Sequence, residues 1–154
     1  MGNRAFVIFE EDGEISPAVY LHWNGGPESV YPFLDELDRR QVRADIAYTP
    51  ARFIAIVAEF MDQEHYTGLS LGVMNGPDTI TPDSLSRFNH GDNGVFVVTR
   101  GNGERRVRRF IPGSKLTELS PEDTEREKRE AYNHPYSAGD ETIKALFTKS
   151  AEYT

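Results

Sequence analysis

The sequence predicts an α+β domain: an antiparallel sheet of about five strands, covered by two main helices, with helical segments at the C-terminal end. Three observations predict it. Short runs rich in β-branched and aromatic residues are separated by Gly-centred turns such as Asp12-Gly13 and Gly101-Asn102-Gly103. Two segments, 30–40 and 49–64, carry apolar residues at helical spacing. Strand-like and helix-like segments are grouped rather than alternating, which is the pattern of α+β architecture.

The elements follow in order. Arg4 to Phe9 is a nearly continuous apolar run, as expected of a central strand buried on both faces. Asp12-Gly13 turns it into a hairpin partner, Ile15 to Trp23. Along that partner Val19, Leu21 and Trp23 share one face and Ala18, Tyr20 and His22 the other. Pro17 confines its start to an edge or a bulge. A turn over 24–29 leads to a helix from Val30 to Arg40, with Ser29 as N-cap because Pro32 fits only a first turn. Thr49-Pro50 starts the second helix, whose stripe is Phe53, Ile54, Ile56, Val57, Phe60 and Met61. Leu69 to Met74, Val95 to Arg100 and Arg105 to Ile111 are the remaining strands, and Thr81-Pro82-Asp83 can cap one helical turn between them.

Beyond Pro112 the composition changes, which divides the chain into a core over 1–113 and a helical extension over 114–154 packed on the same domain. Ser120-Pro121 caps a helix with no apolar residue between Leu119 and Ala131. Such a helix is expected to be solvated on nearly all sides or only partly ordered. Asp140 caps a last short helix bearing Ile143, Leu146 and Phe147.

Composition bounds the function. A chain of 154 residues is one ordinary domain. It contains no Cys, so disulfide and thiol chemistry are excluded from it. The first residues lack the apolar run of a signal peptide, and no run approaches the ~18 apolar residues of a membrane span, so a cytoplasmic location is expected. The net charge of −8 argues against a general nucleic-acid binder. The four histidines, His22, His65, His90 and His134, show no metal-ligand spacing, and no cofactor motif is present; neither metal nor cofactor is expected. His65 reads as a complement to a helix C-terminus.

Three stretches carry chemistry. Gly68-Leu69-Ser70-Leu71-Gly72 matches the spacing of a nucleophile elbow, but lacks the strand before Ser and the helix after it. Arg105, Arg106, Arg108 and Arg109 form a basic cluster. On a strand Arg105 and Arg109 lie with Val107, and Arg106 and Arg108 with Phe110. The cluster reads either as a strip for phosphates or acids, or as a charged edge strand answered by the acidic 118–130 segment. The third stretch is His22-Trp23-Asn24-Gly25-Gly26-Pro27-Glu28. His22 can serve as acid or base, Asn24 donates and accepts, and the glycines allow positive φ and close approach. Asp92 and Asn93 in a later turn are candidate neighbours.

The third stretch resembles a motif of small, largely uncharacterised proteins of phages, plasmids and bacteria. Those proteins have an Arg near the start, a short hairpin, then roughly His-Trp-Asp-Gly-Tyr-Pro-Glu. Arg4, Val7, Ile8, His22, Trp23, Gly25, Pro27 and Glu28 match; Asn24 replaces the Asp and Gly26 the aromatic. The likeness covers about the first 40 residues. It implies a mobile-element setting and brings no catalytic role.

Three functional expectations follow. The first is a non-enzymatic protein-binding module of mobile-element origin, inhibiting a host defence complex such as a CRISPR effector or nuclease. Its candidate surfaces are the 22–28 turn, the acidic 118–130 segment and the Arg strip. The second is a small enzyme or ligand-binding domain using His22, Asn24 and Glu28 with Asp92 and Asn93. The third is a nucleic-acid binder working through Arg105 to Arg109.

Overall fold

A computed structural model of the chain describes residues 2–60, 68–72, 79–89, 92–101 and 104–133. It is an α+β fold built on one mostly antiparallel, seven-stranded sheet. The strands are β1 (Ala5–Glu11), β2 (Glu14–Ile15), β3 (Ala18–Leu21), β4 (Leu69–Gly72), β5 (Val95–Gly101), β6 (Glu104–Ile111) and β7 (Thr117–Glu118). Their order is β4-β3-β1-β5-β6-β7, with β2 pairing β1. The helices are α1 (Pro27–Arg39), α2 (Thr49–Phe60) and α3 (Pro121–Tyr132).

The Asp12-Gly13 signal holds: both residues have positive φ, 50° and 81°, as a two-residue hairpin turn demands. The second strand is interrupted where Pro17 stands. Ser16 accepts the Phe9 amide on its hydroxyl at 2.9 Å, replacing a ladder bond, so β2 and β3 are separate strands. β1 is central, as its unbroken apolar run suggests. Its partner β5 runs parallel to it, in register Val7 to Phe96 and Phe9 to Val98. This departs from an all-antiparallel sheet, because the chain between β4 and β5 crosses the sheet before it re-enters.

That crossing also covers the second face. One core cluster joins Val7, Phe9, Val19, Leu21, Phe96 and Val98 to Phe33, Leu37, Phe53 and Val57 of α1 and α2. The other joins Phe6, Ile8, Val95, Val97 and Phe110 to Ile80, Leu85 and Phe88 of the crossing segment, and to Leu116. The sheet is therefore buried on both sides, by helices on one and by a short irregular layer on the other. Within that layer Thr81 and Ser84 exchange backbone-to-hydroxyl bonds of 2.9 and 3.0 Å, leading to a 3₁₀ turn over Ser86–Phe88.

Two helix expectations are corrected. α1 starts at Pro27 with Gly26 as N-cap, so Ser29 lies inside its first turn and Pro32 inside the helix. Pro27 takes the first helical position, where its missing N–H is harmless, and this moves the start upstream. α3 is not solvated on nearly all sides. It packs against α1 and β6, burying Thr124 and Ala131, with Ala131 and Tyr132 joining the helical core and polar contacts along the rest. Glu127 accepts bonds from Tyr31 of α1 and Arg109 of β6, both at 2.8 Å. Asp35 of α1 meets Lys128 and Tyr132. Ser120 caps α3 as expected, accepting from the Asp123 amide at 3.1 Å. His65, His90, His134, the segment 73–78 and the helix from Asp140 lie outside the described residues.

Candidate functional site

One end of the sheet gathers the predicted turn residues. Ala5 is opposite Leu21, Leu21 opposite Leu69, and Phe6 opposite Val95. The segments just outside those pairs, 2–4, 22–26, 68 and 92–94, must therefore meet. Asn93 bonds Asn3 Oδ1 at 2.7 Å and the Arg4 carbonyl at 3.0 Å. Arg4 donates its amide to Asp92 at 3.0 Å, and its side chain stands 3.5 Å from the same carboxylate. Asn3 donates to the His22 carbonyl at 2.7 Å, and Gly25 to the Asn3 carbonyl at 2.8 Å. Asp92 and Asn93 are thus joined to the His22 turn through Asn3 and Arg4. The amide of Arg4, with help from its guanidinium and from His22, holds the Asp92 carboxyl below the usual range.

Within the turn, His22 is enclosed. Its Nδ1 is hydrogen-bonded to the Tyr20 hydroxyl at 2.8 Å. Its ring meets Trp23 edge-on, 4.9 Å between centroids. Gly2 lies against the other ring nitrogen, so that a methyl placed on Gly2 would stand 2.8 Å from Nε2. Gly68 is equally close from the β4 side, where a methyl would meet the His22 Cβ at 2.6 Å. Trp23 packs half-buried against the helical core. The left-handed residue of the turn is Asn24, with φ 57°; neither Gly25 nor Gly26 has positive φ. Asn is among the few residues that accept this conformation. Gly25 is required by close approach instead, to the backbone of β1. Glu28 lies in the first turn of α1 with its carboxylate beside Gly26, and so already complements the helix dipole where an anion would sit.

The Arg strip divides by face as its alternation predicts. Arg105 bonds Asp38 and the Leu34 carbonyl of α1, each at 2.9 Å. Arg109 is 2 % exposed, stacked 3.9 Å over the Phe96 ring and bonded to Glu127. Burial pushes both guanidinium groups down, and Asp38 and Glu127 oppose the shift. On the opposite face Arg108 makes a two-pronged pair with Glu118, at 2.7 and 2.8 Å, which raises the arginine and lowers the carboxyl. The acidic 118–130 segment therefore answers two of the four arginines, through Glu118 and Glu127. Arg106 is exposed and has no ion partner among the described residues.

β6 is also an open edge. β7 pairs only with Phe110 and Ile111, and Leu119 donates to the Arg109 carbonyl at 2.8 Å. By the alternation of an antiparallel strand, the backbone groups of Val107 and Arg105 point the same way as those of Arg109. Among the described residues nothing pairs with them. They open into a groove of about 590 Å³ that wraps the strand edge, between Tyr31, Leu119, Thr124 and Lys128 on the helical side and Arg106 and Arg108 on the other.

Ser70 sits mid-strand in β4, opposite Tyr20 of β3, and not at a strand-to-helix turn. Among the described residues no three His, Asp or Glu side chains are grouped to hold a metal, and no helix is long and apolar enough to cross a membrane. Tyr31, Leu119 and Thr124 were not marked by the sequence. Tyr31 is a buried residue of α1, and the register of β6 brings it to the wall of the groove. No family model, curated protein or solved structure matches the chain.

Proposed function

We propose that the chain is a non-enzymatic protein-binding module that takes an extended segment of its partner along the open edge of β6. The observation that carries this reading is the pair of outward-facing backbone groups at Arg105 and Val107, opening into the 590 Å³ groove. Strand addition to such an edge draws affinity from main-chain hydrogen bonds and selectivity from side chains on alternate faces. Val107 and Leu119 offer apolar contact, and the unneutralised Arg106 favours an acidic residue in the partner. The resemblance of the first 40 residues supplies a mobile-element setting; a cytoplasmic location and a host defence complex as the target to be inhibited complete the proposal.

The partner is isolated by pull-down from host lysate and its contacts are mapped by cross-linking. Val107→Pro removes one outward donor without touching the β5 ladder, a substitution edge strands accept. It is expected to weaken binding about tenfold or more, with unchanged circular dichroism, and Arg106→Glu to weaken it further. Undiminished binding by both folded variants, or cross-links confined to 22–28, would overturn the reading.

One observation favours the second reading, a ligand site at His22, Asn24 and Glu28: Asp92 and Asn93 do lie beside that turn. A chemical activity abolished by His22→Ala in a folded protein would establish it.

A further inference from the structure

A second groove, of about 460 Å³, lies between the loop after α1 and the exposed side of α2. Its walls carry Arg40, Gln41, Arg43, Tyr48, Arg52 and Glu59. Three arginines thus face one carboxylate in a chain whose net charge is −8. The acids nearby are committed to Arg40, which stands 2.9 Å from Glu59 and 3.3 Å from Glu36. Arg43 and Arg52 are exposed and have no ion partner among the described residues.

The loop that presents Arg43 is built rather than loose. The Thr49 side chain, 1 % exposed, donates to the Arg43 carbonyl at 2.9 Å. Val42 packs on the core and donates to the Leu37 carbonyl at 3.0 Å. Gln41 between them is held at φ 55°, a conformation that costs a non-Gly residue energy and persists only where its surroundings impose it. Asp45, the remaining acid of the loop, accepts from the Ala47 amide at 2.8 Å and so caps its own turn. Tyr48 is 40 % exposed, and the Arg43 guanidinium lies 4.8 Å from its ring centroid.

We propose that this groove binds a small phosphorylated ligand, with the phosphate held by Arg43 and Arg52 and a planar group resting on Tyr48. Two unneutralised guanidinium forks match a phosphate monoester in charge and in hydrogen-bond geometry better than a carboxylate, which carries one charge. The volume falls within the range of small-molecule sites. The site is separate from the β6 edge and independent of the function proposed for it.

The test is a titration of the full-length protein at low ionic strength with adenosine 5′-monophosphate, inorganic phosphate and adenosine. It is read by NMR at the Arg side-chain Nε–H and Tyr ring signals. The monophosphate is expected to shift Arg43, Arg52 and Tyr48 saturably, inorganic phosphate to shift the two arginines more weakly, and adenosine to do neither. Arg43→Ala and Arg52→Ala should each weaken the monophosphate about tenfold or more, the loss expected of a charged hydrogen bond. Arg106→Ala, at the other groove, should leave it unchanged. Both arginines are exposed, so the variants should fold, and the wild-type shifts report the site even if one does not. The proposal is overturned if neither phosphate probe saturates below about 1 mM. Equal weakening by Arg106→Ala, or equal binding of adenosine, overturns it as well.

Discussion

A methyl group at position 25 would stand 2.5 Å from the Asn3 carbonyl oxygen and 2.7 Å from the Ala5 amide nitrogen. Neither atom can move without disturbing β1, so Gly25→Ala should destabilise the fold by about 1–3 kcal/mol, measured by urea unfolding. Gly26→Ala should cost less, because the atoms nearest a methyl there are the flexible end of Glu28. The sequence marked both glycines, and the turn itself, but not which residue needs which property. Positive φ belongs to Asn24, and crowding to Gly25 because of a neighbour some twenty positions upstream. Close approach of that kind depends on strand register, which no local pattern carries. The histidine was legible as unusual; that Tyr20, Gly2 and Gly68 enclose it was not.

At the scale of elements, α3 is the informative case. Its lack of apolar residues suggested a solvated helix, because periodicity detects only apolar docking. The structure docks it by Ala131 and Tyr132 at its end and, along its length, by a buried Tyr31–Glu127–Arg109 cluster, which sequence patterns do not encode. Glu127→Ala leaves the Arg109 guanidinium buried without its carboxylate, and should cost about 3–5 kcal/mol in chemical denaturation. Arg109→Met combined with Glu127→Gln should recover much of that loss, since an unpaired buried charge is worse than none. The same cluster sets an alkaline limit. Burial, then the Glu127 charge, pushes the Tyr31 hydroxyl above its usual range. A raised folded value means that the stabilisation is complete below the unfolded tyrosine pKa of about 10 and declines as pH rises past it. Unfolding measured between pH 9 and 11, a window chosen around that value, should show stability falling with pH, and Tyr31→Phe should flatten the fall. The strands and the start of α2 were legible because alternation and the Thr49-Pro50 pair are local signals, but Thr49 is the first helical residue and not an N-cap, its hydroxyl donating to the Arg43 carbonyl of the preceding loop.

For the whole molecule, the α+β class and the central position of β1 could be read from grouped elements and one unbroken apolar run. The parallel pairing of β1 with β5 could not, since it follows from a crossing whose apolar residues, Ile80, Leu85 and Phe88, obey no period. The two grooves have the same origin. Each is assembled from segments far apart in sequence: β6 and α3 with Tyr31 in one, the α1–α2 loop with α2 in the other. The strand-addition reading belongs to this scale, because an edge is a property of the sheet and not of β6 alone. Its Val107→Pro test asks whether that edge is where a partner sits.

Leu21 ends β3 directly opposite Leu69, which begins β4. Everything in the chain between them, α1 and α2 included, is therefore the loop of a single hairpin. Loop-closure entropy grows only with the logarithm of length, about 0.6 kcal/mol per doubling, so enlarging a short turn to this size costs about 2 kcal/mol. The two helices offset that through the core they bury. The strand register is thus closed at little entropic cost by a loop that itself supplies one face of the core, so that residues added where it does not touch the sheet should leave the register as it is.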